Sequence, residues 1–143
     1  IDAHVSWRAY EPWISKYDPK PYNGPFIKGC MDPQLDKIVA GQLPAQILFR
    51  DDDVTAFYDI HPAAPTHVLV VPNRHIATLN DLTEDDAELA GRLLLACKRA
   101  AVETGIAESG YRVLTNVGKG GGQHVWHVHF HVLGGRRMAW PPG

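Results

Sequence analysis

Near the end of the 143-residue chain, three histidines alternate with apolar residues in His127-Val128-His129-Phe130-His131. Alternation at period two predicts a strand. Side chains two apart on a strand share a face, so the three imidazoles are expected together, with Val128, Phe130 and Val132 turned to the core. Same-face neighbours lie about 6 to 7 Å apart along a strand, a gap that admits a phosphate or a metal ion.

Three chemistries fit such a row. Histidines serving only as core hydrogen-bonding groups are strained at this density, because each buried ring needs partners for two nitrogens. Two histidines at i and i+2 with a third nitrogen can hold zinc with one position open. The segment just upstream, Gly118-Lys119-Gly120-Gly121-Gly122-Gln123, favours the third. Glycine-rich backbone can turn several N–H groups toward one anion, which puts phosphate ahead of metal.

The elements that must carry these residues are legible in outline. Residues 1 to 30 contain Pro12, Pro19, Pro21 and Pro25 among scattered aromatics and read as an N-terminal extension, either an extended arm packed onto the core or a partly ordered tail. The domain proper spans residues 31 to 143. Asp32 and Pro33 open a short helix with Leu35, Ile38 and Val39 on one face and Gly41 after it. Ile47 to Arg50 and Val54 to Tyr58 flank Asp51-Asp52-Asp53 as a hairpin, and Thr66 to Pro72 follows as a third strand. Thr83 is the expected N-cap of a second helix with an acidic first turn, an apolar stripe through Leu89, Leu93, Ala96, Cys97 and Ala100, and a stop at Gly105. Tyr111 to Asn116 and Trp126 to Leu133 read as two further strands. The predicted content is two helices among five strands.

Composition narrows the partners. A net charge of −2 with no basic run argues against duplex nucleic acid. No apolar stretch nears the roughly 20 residues that span a bilayer, so no membrane partner is expected. Cys30 and Cys97 form neither a disulfide framework nor a metal clip, which suits a reducing compartment. The expected location is cytoplasmic, with the nucleus compatible; the chain begins at Ile1, so an organellar segment upstream stays open.

The run from Gly121 to Arg136, containing His-x-His-x-His with apolar x, resembles the signature of the histidine triad (HIT) superfamily. The ending Met138-Ala139-Trp140-Pro141-Pro142-Gly143 is similar to the Hint branch, the histidine triad nucleotide-binding proteins. Phe57-Tyr58-Asp59-Ile60, Ala64-Pro65-Thr66-His67, and Val71-Pro72 with His75-Ile76 extend the likeness, which runs from about Asp32 to Gly143. The resemblance implies an α+β fold with a five-stranded antiparallel sheet and two helices per subunit, the sheets joined across a homodimer. It implies a purine nucleotide (AMP- or GMP-like) ligand, no cofactor, and hydrolysis of adenosine or guanosine 5'-phosphoramidates to a nucleoside monophosphate and an amine. By position, His129 is the nucleophile, His127 holds its ring through the local network, His131 meets the phosphate and leaving group, and His67 is the fourth histidine. Leu35, Phe57, Tyr58, Asp59, Ile60 and Leu69 match the nucleoside pocket, with Asp59 on the ribose; Asn116, Gly122, Gln123, His124 and Val125 match the phosphate side. Trp140 lies in a segment expected near the partner subunit's site, where it sets specificity.

The roles make chemical sense. A neutral imidazole is nucleophilic near pH 7, since its ordinary pKa is about 6.5, provided its second nitrogen keeps a proton on an acceptor. A departing amine needs an acid, for which His131 and His124 are the candidates. Two residues depart from the pattern: His124 stands where serine is usual, and Leu35 where phenylalanine is common. Asp59 has an alternative use as a cap on the turn that follows it. Pro33 and Asp36 stand where some relatives place zinc-binding cysteines, so no metal is expected. The alternative functions are a dinucleoside polyphosphate hydrolase or nucleotidyl transferase, a non-catalytic nucleotide-responsive scaffold, and a zinc enzyme.

Overall fold

The computed structural model describes residues 33–142, so Asp32 and the expected N-terminal extension lie outside the described residues. The elements in chain order are α1 (Pro33–Val39), β1 (Ile47–Arg50), β2 (Val54–Tyr58), β3 (Thr66–Pro72), α2 (Ala87–Glu103), β4 (Tyr111–Leu114) and β5 (Phe130–Gly134). Two short 3-10 turns, Leu79–Asp81 and Glu84–Asp86, precede α2. All strand pairs are antiparallel, in the order β1-β2-β3-β5-β4.

The period-two pattern divides this sheet between two apolar layers. Val54 and Ala56 on β2, Val68 and Val70 on β3, and Val132 on β5 join Leu93, Ala96, Cys97, Ala100 and Ala101 of α2. Phe57, Leu69 and Val71 point the other way and meet Leu35 and Ile38 of α1, with Val125. The histidine side chains that follow the same alternation, His67 on β3 and His131 on β5, belong to this α1 face. Cys97 is core, and burial pushes its thiol up to about 12, so no thiolate forms near neutral pH.

Three boundaries differ from the sequence expectation. Thr83 and Asp86 do form a reciprocal cap, but Glu84–Asp86 close as a 3-10 turn and the α-helix starts at Ala87. Gly105 ends it at φ +78, a conformation that costs glycine little. The last strand begins at Phe130, four residues later than expected, because the Val128 N–H is bonded to the Ile76 carbonyl at 2.7 Å rather than to a neighbouring strand. His127 and His129 therefore sit on an irregular segment tied to the chain beyond β3, and only His131 lies in the sheet. Strand β4 stops at Leu114, and Thr115 spends its hydroxyl on the His129 carbonyl at 2.8 Å.

Candidate active site

Pairing of β3 with β5 sets Leu69 opposite His131 and His67 opposite Leu133. His67 and His131 are thus diagonal neighbours on one face, close enough for their rings to interact. His67 Nε2 lies 2.8 Å from His131 Nδ1, and the ring centroids are 5.1 Å apart. The His129 ring stands edge-on to His131 at 5.0 Å. The row is therefore His129, His131, His67. The His127 ring leaves it: Nε2 donates to the Pro72 carbonyl at 2.8 Å, and the ring packs edge-on against His75 at 5.1 Å. What His127 gives its neighbour is a main-chain carbonyl, 2.7 Å from His129 Nδ1.

Main-chain partners decide where the protons sit. A carbonyl only accepts, so His129 Nδ1 carries the proton and its Nε2 is left with a lone pair. The Ala63 N–H donates to His67 Nδ1 at 3.0 Å, which leaves the His67 proton on Nε2. That proton is donated to His131 Nδ1, so the neutral His131 ring carries its own proton on Nε2. The arrangement sets a nucleophilic nitrogen on one ring beside a hydrogen-bond donor on the next. Such a pair suits attack on phosphorus and contact with a phosphoryl oxygen.

Asp59 stands at the far end of the row. Its side chain is 3% exposed; Oδ1 accepts from the His61 N–H at 2.9 Å, forming the turn cap that was the alternative use, and Oδ2 lies 3.6 Å from His67 Nε2. Burial holds His67 below the usual histidine range, while the Asp59 carboxylate pushes it back up. Asp59, His67 and His131 bring candidate ligand atoms within 4.8 Å of one another, close enough to consider a metal ion. The fit is poor in this hydrogen-bonded arrangement. The nitrogen of His67 that would bind the ion is the one holding the proton, since Nδ1 is committed to Ala63.

Leu35, Phe57 and Leu69, expected around the nucleoside, form one buried cluster on the α1 face, and the side chain of Val125, expected on the phosphate side, joins it. Ile60 is exposed. Tyr58 is a correction: it packs with the α2-side cluster, since adjacent residues on a strand face opposite ways. The glycine-rich segment also differs from the expected anion cradle. The N–H groups of Gly118, Gly122 and Gln123 bond to Gln123 Oε1, the Lys119 carbonyl and the Gly118 carbonyl, all within the turn. Gly121 is required there, because an added Cβ would lie 2.4 Å from the Val117 carbonyl oxygen. Gln123, expected on the ligand, is buried, and its Nε2 donates to the carbonyls of Ala77 and Val125 at 2.7 and 2.9 Å. His124 is exposed beside it, Asn116 is half-buried, and Trp140 is 84% exposed.

Sequence reasoning missed His75 as a packing partner of His127, and missed Ala63 and Pro72, whose main-chain groups set the ring protons. The repeated His-x-His could not reveal a backbone donor sixty residues away. A separate surface depression is lined by Asp52, Asp53, Arg74, Asp86, Glu88 and Arg92; it shares no residue with the histidine row, and Arg74 and Arg92 are paired there with Asp86 and Glu88.

A purine nucleoside phosphoramidase from Escherichia coli is 46% identical over 104 residues, 73% of this chain and 87% of that protein. An uncharacterized HIT-like protein from Synechococcus elongatus is 46% identical over 112 residues, covering 78% of this chain and 97% of its own. The crystal structure of a HIT family hydrolase from Legionella pneumophila superposes with a TM-score of 0.75 at 50% identity, over 76% of this chain and 97% of that one. A histidine triad protein from Clostridium difficile gives 0.73 at 33% identity, over 80% and 97%. The HIT domain model matches residues 40–138, which include the whole sheet and every histidine of the row, and the chain therefore belongs to the HIT family.

Proposed function

We propose that the protein is a hydrolase that cleaves the phosphorus–nitrogen bond of purine nucleoside 5'-phosphoramidates, working as a homodimer. The carrying observation is the proton pattern of the row: His129 Nδ1 is held on the His127 carbonyl, so the ring keeps its lone pair on Nε2, the nitrogen that would attack. Its likeness to the E. coli phosphoramidase supports the substrate class.

In this reading His129 Nε2 bonds to phosphorus while the phosphorus–nitrogen bond breaks, and that electron pair leaves with the nitrogen, which takes a proton from His131 or His124. Water then attacks the nucleotidyl-histidine, releasing the nucleoside monophosphate and restoring the lone pair. His131 contacts the phosphoryl group during both steps. Leu35, Phe57 and Leu69 bound the base, Asp59 meets the ribose, and Asn116 and the main chain at Val125 line the phosphate side. His127 and His67 act by holding the other two rings.

The test is hydrolysis of an adenosine 5'-phosphoramidate carrying a fluorescent amine, beside diadenosine polyphosphate, with chelator present. Cleavage of the phosphoramidate is expected, with a loss of at least about 1000-fold, about 4 kcal/mol of barrier, in His129→Ala. No cleavage by folded protein that still binds AMP would overturn the reading and leave a nucleotide-binding protein.

A further inference from the structure

The resting hydrogen bonds create a difficulty for acid catalysis that the site itself can resolve. The neutral His131 ring holds one proton, on Nε2, and its Nδ1 accepts from His67. Giving that Nε2 proton to a departing amine would leave an imidazolate, unless Nδ1 already carried a second proton. If it did, the His67 Nε2–H would face another N–H and lose its acceptor. His67 cannot turn its proton to Nδ1, because the Ala63 N–H occupies that side at 3.0 Å. A further acceptor is needed at this point.

Asp59 Oδ2 stands there. It is buried, lies 3.6 Å from His67 Nε2, and makes no hydrogen bond in the resting arrangement, while Oδ1 of the same carboxylate is fixed on the His61 N–H. A buried carboxylate oxygen held without a donor is costly unless something uses it. We propose that Asp59 is the reserve acceptor and counter-charge of the His67–His131 pair, so that the pair can take up one proton from solvent and His131 can deliver it to the leaving nitrogen. This rests on the phosphoramidase reading above.

The protons balance. In the loaded state His131 carries protons on Nε2 and Nδ1, and the His67 Nε2–H turns to Asp59 Oδ2. As the phosphorus–nitrogen bond breaks, the Nε2 proton moves to the amine and His131 becomes neutral with an Nε2 lone pair. The attacking water gives its proton to that nitrogen, which reloads the pair. The charged and titratable groups facing this pair are Asp59 from the end of β2, His129 from the segment before β5, and His61 beside the Asp59 cap; Arg136, beyond β5, binds the Ala63 carbonyl at 3.3 Å. Asp59 supplies the negative charge among these contacts. Asp59 is in this sense a positioning residue, acting through two histidines, and its role is separate from any contact with the ribose.

Asp59→Asn is the test, because asparagine keeps the Oδ1 cap on His61 and replaces only the oxygen facing His67. With wild-type protein first shown to cleave an adenosine phosphoramidate, kcat is measured against pH for leaving amines of high and low basicity. The same series is repeated on a 2',3'-dideoxyadenosine substrate, which has no ribose hydroxyls. The alkaline limb of kcat, where the loaded proton is lost, is expected to move down by about one pH unit. At neutral pH kcat should fall about ten-fold for the basic alkylamine and little for the weakly basic arylamine, on both sugars. A loss that disappears on the dideoxy substrate, or that appears only in KM, would assign Asp59 to the ribose alone and overturn the proposal. An unchanged limb with equal losses for both amines would overturn it too. Failure of the wild type to cleave either substrate would instead sink the phosphoramidase reading.

Discussion

Replacing Gln123 tests whether its side chain belongs to the ligand or to the fold. Its three hydrogen bonds join the glycine turn at Gly118, the chain after β3 at Ala77, and the approach to the histidines at Val125. Gln123→Ala strands one N–H and two carbonyls that the side chain now satisfies, at a net cost of about 1 kcal/mol each. The expected loss is about 3 kcal/mol, or roughly 10 °C in the thermal midpoint of a domain this size. Gln123→Glu should be at least as damaging. One carboxylate oxygen can still accept from Gly118, but the other would face two carbonyl oxygens at the positions now 2.7 and 2.9 Å from Nε2. Urea unfolding of the ligand-free protein, followed by circular dichroism, reads the difference directly. A midpoint within 0.5 kcal/mol (about the error of such fits) of wild type for both variants, together with a raised KM, would refute the bracing argument and return Gln123 to the nucleotide.

Acid should weaken the fold through His67. Burial lowers its folded pKa below that of the unfolded chain, so the unfolded state binds more protons; the stability is present above about pH 6.5 and is lost as pH falls through the folded value. Urea midpoints from pH 8 to 5 should decline less steeply in His67→Gln, and an equal or steeper decline would count against the assignment. His124→Ser should leave the unfolding midpoint within about 0.5 kcal/mol, since the residue is exposed, while changing the preference among leaving amines; an unchanged preference and pH profile would remove His124 from the chemistry. Leu94, Leu95 and Val102 form an exposed apolar strip on the outer side of α2. Sedimentation is expected to give about twice the 15.8 kDa chain mass, shifting to the monomer in Leu95→Glu, and a wild-type monomer at micromolar concentration would contradict the dimer.

Much of this was legible before any coordinates. Alternation in Val68-Leu69-Val70-Val71 and the spacing of Leu93, Ala96, Cys97 and Ala100 gave the layers, because both are direct readings of strand and helix period. The same rule separates Phe57 from Tyr58, whereas the family motif groups them. Alternation marks an extended chain but not which neighbour takes its N–H groups, so it does not locate the onset of β5; Val128 bonds outside the sheet. In the glycine turn, glycine signals conformational freedom, and nothing local tells whether its amides point at an anion or at Lys119 and Gly118. The placement of Asp59 against His67 depends on a return of the chain between β2 and β3, which spacing alone does not specify.

Main-chain groups settle the protons of His127, His129 and His67, through the carbonyls of Pro72 and His127 and the amide of Ala63, and His67 passes that order on to His131. No side-chain substitution deletes the two carbonyls, and only proline at position 63 would remove the amide, so the site is wired largely by the path of the backbone. A designer who copied His-x-His-x-His onto another strand would transplant the rings and leave the wiring behind. Each ring would then divide its time between two tautomers, and the nucleophile would face its target with the wrong nitrogen for part of that time. Directed changes should instead fall on what surrounds the row, where the contacts proposed for the leaving group and the base can drift while the order of donors and acceptors stays fixed.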